Sequence, residues 1–150
     1  LTGGSEQMAR AAANAGDEVE ILLKRAADAG PDDLLAADGY LFTCPENLAS
    51  MAGVMKEFFD RTYYPVLGRI EGRPYATMIC AGSDGEGAAR QIARIALGWR
   101  LKPVAEPLIV CTHGQTPEAI LAPKIIAETD LARCRELGAM LAAGLAMGIF

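Results

Sequence analysis

Basic residues are scarce and scattered in this 150-residue sequence: 14 Lys and Arg stand against 19 Asp and Glu, a net charge of −5. A polyanion partner needs a dense cationic face, so nucleic acid is a poor candidate. Long apolar runs are missing as well. The longest, LGAMLAAGLAMGIF over 137–150, has 14 residues, where a bilayer-spanning helix needs about 20. It reads as a buried helix of a soluble protein. There is a single histidine, and the four cysteines, Cys44, Cys80, Cys111 and Cys134, are widely spaced with no CxxC pair or His/Cys cluster. That spacing argues against a metal centre, and three of the four fall in strand-like runs that favour small apolar residues. They read as free thiols of a cytoplasmic protein, and no signal peptide is visible. Two phosphate motifs are also absent. No Gly-Lys-Ser/Thr follows the glycine pair at Gly3 and Gly4, and Arg90 stands where a third glycine would complete a fingerprint begun by Gly85 and Gly87.

What is present is alternation. Ser5 to Ala15 has helical spacing with Ser5 as a candidate N-cap, and Gly16 closes it. EVEILLKR (18–25) reads as a strand, Pro31 opens a short helix, and YLFTC (40–44) is an apolar run of the kind buried on both faces. Leu48 to Tyr63 returns to helical period until Pro65 and Gly68. PYATMICAG (74–82) is the next strand, 85–99 the next helix, EPLIVCT (106–112) another strand, and a last helix runs over 129–147. The pattern predicts one α/β domain over 1–150, a parallel sheet with helices on both faces. The chain opens in a loop that leads into a helix, without an initiator Met, so a first strand of the sheet is expected ahead of the sequence as given. In mid-sheet its absence would leave two neighbours unpaired.

Open sheets of this kind bind ligands at the carboxyl ends of their strands. The segments there are TGGS (2–5), PENLAS (45–50), AGSDGEG (81–87) and HGQTPE (113–118). The first three are small, polar or glycine-bearing, which lets backbone amides approach a flat ligand or a phosphate.

Those segments carry a family resemblance. TGGSEQMA resembles the phosphate loop of the flavodoxin-like FMN-binding oxidoreductases. TCPENLASMAGVMKEFFD (43–60) is similar to the Pro-Glu-Tyr-Asn…Pro-Gly…Lys-Asn…Asp stretch of NAD(P)H-dependent FMN reductases, with Asn47-Leu48 and Ala52-Gly53 as departures. AGSDGEGA matches the third flavin loop in position and glycine content. The resemblance covers nearly the whole chain. It implies a flavodoxin-like three-layer fold of strand order 2-1-3-4-5, FMN as cofactor and NAD(P)H as co-substrate. It also implies a small acceptor such as a quinone or flavin, and a homodimer or homotetramer. The cofactor-binding residues it implies are Thr2, Gly3, Gly4 and Ser5; Pro45, Glu46, Asn47 and Leu48; and Ala81, Gly82, Ser83, Asp84 and Gly85.

Plainer readings stand beside these. TGGS alone is an ordinary helix-start turn, and His113 reads as a solvated loop residue or one that approaches a substrate. Tyr63, Tyr64 and Trp99 wall a quinone pocket or seal the core, and Asp60 and Arg61 read as a charged helix end. The flavin itself performs the redox step in such proteins, so no acid, base or nucleophile is assigned. An electron carrier and a flavin-free interaction module are the rival functions on the same fold. PENLAS has no aromatic of the kind that flanks flavin in carriers, which favours the enzyme. The Ala/Gly/Met-rich C-terminal helix and FFDRTYYP predict self-association through exposed apolar surface.

Overall fold

The central strand is eight residues without a single exposed side chain. In the computed structural model, which describes residues 3–150, this strand, β3 (Pro74–Ala81), is buried from end to end. Its residues divide by parity, as a strand requires: Tyr75, Ile79 and Ala81 enter one apolar cluster, and Ala76, Met78 and Cys80 enter the other. β1 (Tyr40–Asn47) pairs with β3 in parallel from Tyr40↔Tyr75 to Pro45↔Cys80. The opposite edge of β3 takes β4 (Lys102–Pro103) and then β5 (Leu108–Cys111), both parallel, in two stretches separated by residues 104–107. The expected strands over 40–44, 74–82 and 106–112 therefore stand side by side in that order.

Helices cover both faces. α1 (Gly4–Asn14) and α6 (Glu128–Met147) share one face with Met8, Ala12, Cys134 and Leu137 in its core. α2 (Pro31–Ala36), α3 (Gly53–Val66) and α4 (Glu86–Gly98) contribute to the other. Met55, Phe58, Phe59, Thr62 and Val66 form the buried stripe of α3, a 3.6-residue period. The buried Thr62 hydroxyl donates to the Phe58 carbonyl at 2.7 Å, so the stripe tolerates one polar residue. No helix among the described residues is long and apolar enough to cross a membrane. All four cysteines are free thiols.

Three local expectations are corrected, and one short helix is added to them. α1 begins at Gly4 with Gly3 as its N-cap and ends at Asn14, so Ser5 lies inside the first turn and Gly16 beyond the cap. The helix expected from Leu48 begins only at Gly53, because residues 46–51 fold back as an antiparallel hairpin onto β2 (Ser50–Met51). HGQTPE leads into a short helix, α5 (Pro117–Leu121), whose N-cap Thr116 hydroxyl accepts the Ala119 amide. Lastly, EVEILLKR pairs with no strand among the described residues: 20–25 forms no regular secondary structure, with Ile21, Leu22 and Leu23 exposed. An extended run becomes a strand only when its backbone groups find a ladder partner. Cavities of about 440 and 210 Å³ open between this segment and β1, both lined by Ala9, Leu22, Leu23, Gly39, Leu41 and Thr43.

Candidate functional site

Parallel pairing puts the carboxyl ends of β1, β3 and β5 at one rim, at Pro45, Ala81 and Cys111. The amino end of α1 reaches the same rim. A methyl group on Gly4 would lie 2.6 Å from Cys80 Sγ and 3.2 Å from Ile126 Cδ1, so only glycine lets the helix start this close to the end of β3. The segment after α5 closes over it. Gln7 Nε2 donates to the Lys124 carbonyl at 2.6 Å, and the Ile126 amide donates to Gln7 Oε1 at 3.0 Å. Lys124 thereby borders Gly4, a cationic neighbour that the sequence pattern did not single out.

The first turn of α1 has backbone donors that could receive an anion. Among the described residues no side chain caps it, and its first backbone bond runs from the Gln7 amide to the Gly3 carbonyl at 3.1 Å. The amides before Gln7 are the orphan donors of a helix start, at its positive end. Gly3 has open space where a side chain would be. The one acid of this turn, Glu6, points away along the helix to Arg10 at 2.8 Å, with Arg25 at 3.9 Å. The hydrogen bond from Arg10 and its charge, helped by Arg25, hold the Glu6 carboxyl below the usual range. An uncapped helix end with half-buried Ser5 beside it fits a phosphate.

The second and third loops are joined to each other. Glu46 Oε1 accepts the Gly85 amide at 2.9 Å, and Oε2 accepts the Ala88 amide at 3.2 Å. Both carboxylate oxygens thus serve the amino end of α4, where negative charge is favourable. Gln91 Oε1 accepts the Ser50 hydroxyl at 3.0 Å and the Met51 amide at 2.9 Å. Between these ties, Leu48 and Ala49 turn the hairpin with φ of 52° and 64°, and Leu48 is completely exposed. Asn47, Gly82, Ser83 and Asp84 are exposed at the same rim, whereas Gly4 and Ala81 are buried beneath it. An apolar tip and small polar loops therefore stand at one rim, the side-chain types that could border the flat ring of a flavin.

Of the other residues weighed from sequence, Trp99 is fully buried. Its Nε1 donates to the Tyr63 carbonyl at 3.0 Å, and the two rings stack 5.6 Å apart. These two seal the core, and only Tyr64 is exposed. His113 is exposed with φ 57°, its amide donating to the Gly82 carbonyl at 2.8 Å. Asp60 pairs with Lys56 at 2.6 Å. Arg61 pairs with Glu57 and also donates to the Ala26 and Ala29 carbonyls at 2.9 and 2.7 Å, tying α3 to the loop before α2. Burial pushes the Cys44 thiol, beneath the second loop, up to about 11. Thr2 lies outside the described residues.

A parallel sheet between two helical layers, with three such loops at one rim, defines a flavodoxin-like protein. Comparisons agree. A curated flavodoxin of Aquifex aeolicus (strain VF5) is 27% identical over 157 residues, covering 97% of this chain and 83% of that protein. A flavodoxin from the domain Archaea superposes with a TM-score of 0.77 at 19% identity, over 97% of this chain and 92% of that one. The rubredoxin oxygen:oxidoreductase of Desulfovibrio gigas superposes with a TM-score of 0.76 at 14% identity, over 99% of this chain and 35% of its own. The family model described as NADPH-dependent FMN reductase matches residues 6–114, and the chain belongs to that family.

Proposed function

We propose that the protein binds FMN non-covalently at this rim and carries electrons from NADH or NADPH to a small acceptor such as a quinone or free flavin. The observation that carries the reading is the uncapped amino end of α1 at the same rim as the Glu46-tied loops. When bound, FMN would supply a ring that takes up a hydride equivalent and passes two electrons on. The protein's part is placement. Amides of the first turn of α1, with the Ser5 hydroxyl and Thr2, hold the phosphate. Arg10 keeps Glu6 turned away from it, and the loops at 45–48 and 81–85 border the ring. A flavodoxin-type electron carrier is the second reading, favoured by the curated relative. The lack of any aromatic in the hairpin tip supports the enzyme.

In this reading the chain acts as one domain in the cytoplasm, where four free thiols suit a reducing compartment. It acts as a homodimer or homotetramer, with Tyr64, Leu67, Leu97, Met147 and Ile149 as exposed apolar side chains available for contact. Light scattering that gives only a monomer at micromolar concentration removes the oligomer.

Ser5→Asp tests the phosphate assignment, because it sets a carboxylate against a dianion in place of a donor. Charge-assisted hydrogen bonds contribute about 1.5–3 kcal/mol, so the Kd for FMN, followed by fluorescence quenching, should rise at least about tenfold. Equal affinity in the variant moves the phosphate elsewhere. An intact protein that binds no FMN leaves the flavin-free module.

A further inference from the structure

We propose that Glu46 and Gln91 are positioning residues: together they latch the Leu48–Ala49 tip onto α4 in its left-handed conformation, and that held tip sets the affinity for flavin. The second half rests on the FMN reading above; the first does not.

Two consecutive residues with side chains stand at positive φ, Leu48 at 52° and Ala49 at 64°. Neither is glycine, so each pays a steric cost that the surroundings must offset. The tip's own packing offsets none of it, since Leu48 is fully exposed and Ala49 is exposed. The compensation comes from α4, on both arms of the hairpin. Ahead of the turn, Glu46 accepts the Gly85 and Ala88 amides at 2.9 and 3.2 Å; after it, Gln91 accepts from Ser50 Oγ and the Met51 amide at 3.0 and 2.9 Å. Gly87 completes the fit. A Cβ there would overlap the Ala49 carbonyl oxygen and lie 3.1 Å from its carbon and 3.3 Å from Glu46 Oε2. The first two turns of α4 are thus seated on the tip's backbone, and the second and third rim loops are tied into one unit. Two hydrogen bonds on each arm fix a conformation that the sequence Leu-Ala would not adopt unaided.

Hydrogen–deuterium exchange of the flavin-free protein and FMN titration test this with wild type, Gln91→Ala, Glu46→Gln and Gln91→Ala/Ala49→Gly. Gln91→Ala should speed exchange across residues 47–51 by about tenfold while leaving β3 protected, and raise the Kd for FMN by a similar factor. Glu46→Gln keeps one acceptor oxygen and loses the other with the charge, so it should act in the same direction. Ala49→Gly accepts positive φ without strain and should restore affinity in the Gln91→Ala background. A side chain that only stabilised the fold would not be rescued this way. Unchanged exchange in Gln91→Ala overturns the latch. Faster exchange with unchanged FMN affinity, or no rescue by glycine, overturns its role toward the flavin. A wild type that binds no FMN removes the cofactor reading and the flavin half of the proposal with it, while the exchange arm still decides the latch.

Discussion

Gly138→Ala should destabilise the protein although alanine is the better helix former. Gly138 lies on α6 where it crosses α1, and a Cβ there would overlap the Ala12 carbonyl oxygen, 2.7 Å from its carbon and 2.8 Å from Ala12 Cα. Ordinary carbon contacts are about 3.5–4.0 Å, and the atoms met are backbone. No rotamer change relieves the overlap, so the helices must part by roughly 1 Å. Overpacking of this kind costs about 1–3 kcal/mol. Because the overlap is severe and with backbone, the upper end of that range applies; the gain in helix propensity returns about 1 kcal/mol, which leaves a net loss of about 2 kcal/mol. Urea unfolding followed by fluorescence of Trp99, the single tryptophan, measures it. Gly53→Ala is the control, because nothing lies within 4 Å of a Cβ at the first residue of α3; it should be neutral or stabilising by up to about 1 kcal/mol. A Gly138→Ala protein as stable as wild type would refute the packing argument. Because α1 carries Gly4 and Ser5 to the rim, the same substitution should weaken FMN binding.

Two further outcomes follow from burial and pairing. The folded state holds the Cys44 proton up to about pH 11 against an ordinary 9.0, so this group's contribution is complete below pH 9 and is lost as pH rises through 11. At about 1.36 kcal/mol per pH unit the loss is about 2–3 kcal/mol; it should appear as a steeper alkaline decline in the wild type than in Cys44→Ala, and parallel declines would contradict it. Hydrogen exchange should also divide the sheet: β3 amides, paired on both sides, should outlast those β1 amides that face away from β3 toward the two cavities. Uniform protection across β1 and β3 would contradict the open edge.

The parts legible in the sequence are those whose signal is local and repeated. β3 reads directly from PYATMICA because every residue is buried, α3 and α4 read from their apolar period, and α6 reads from its long Ala/Gly/Met-rich apolar run. The hairpin at 46–51 was not legible, since its two-residue turn is Leu-Ala and lacks the Asn-Gly or Asp-Gly that usually marks one. Its conformation depends on Gln91 and Gly87 about forty residues away. EVEILLKR has a strand's composition, but a ladder needs a partner and none among the described residues provides one. At the site, the rim loops followed from where strands end, and their resemblance to flavin loops named the ligand. Glu46 stands in the loop that the resemblance assigns to the flavin, and both its oxygens accept amides of α4. That tie is a tertiary contact no spacing encodes, and the same holds for Lys124 beside Gly4.

The most direct test of the central claim is the map of backbone amide NMR shifts on titration with FMN. The account predicts saturable one-to-one binding, with the largest shifts at Gly4, Ser5 and Glu6, at 47–49 and at 82–85, and little change around α2 or the far end of α6. Shifts concentrated away from this rim, or no binding at all, would contradict it.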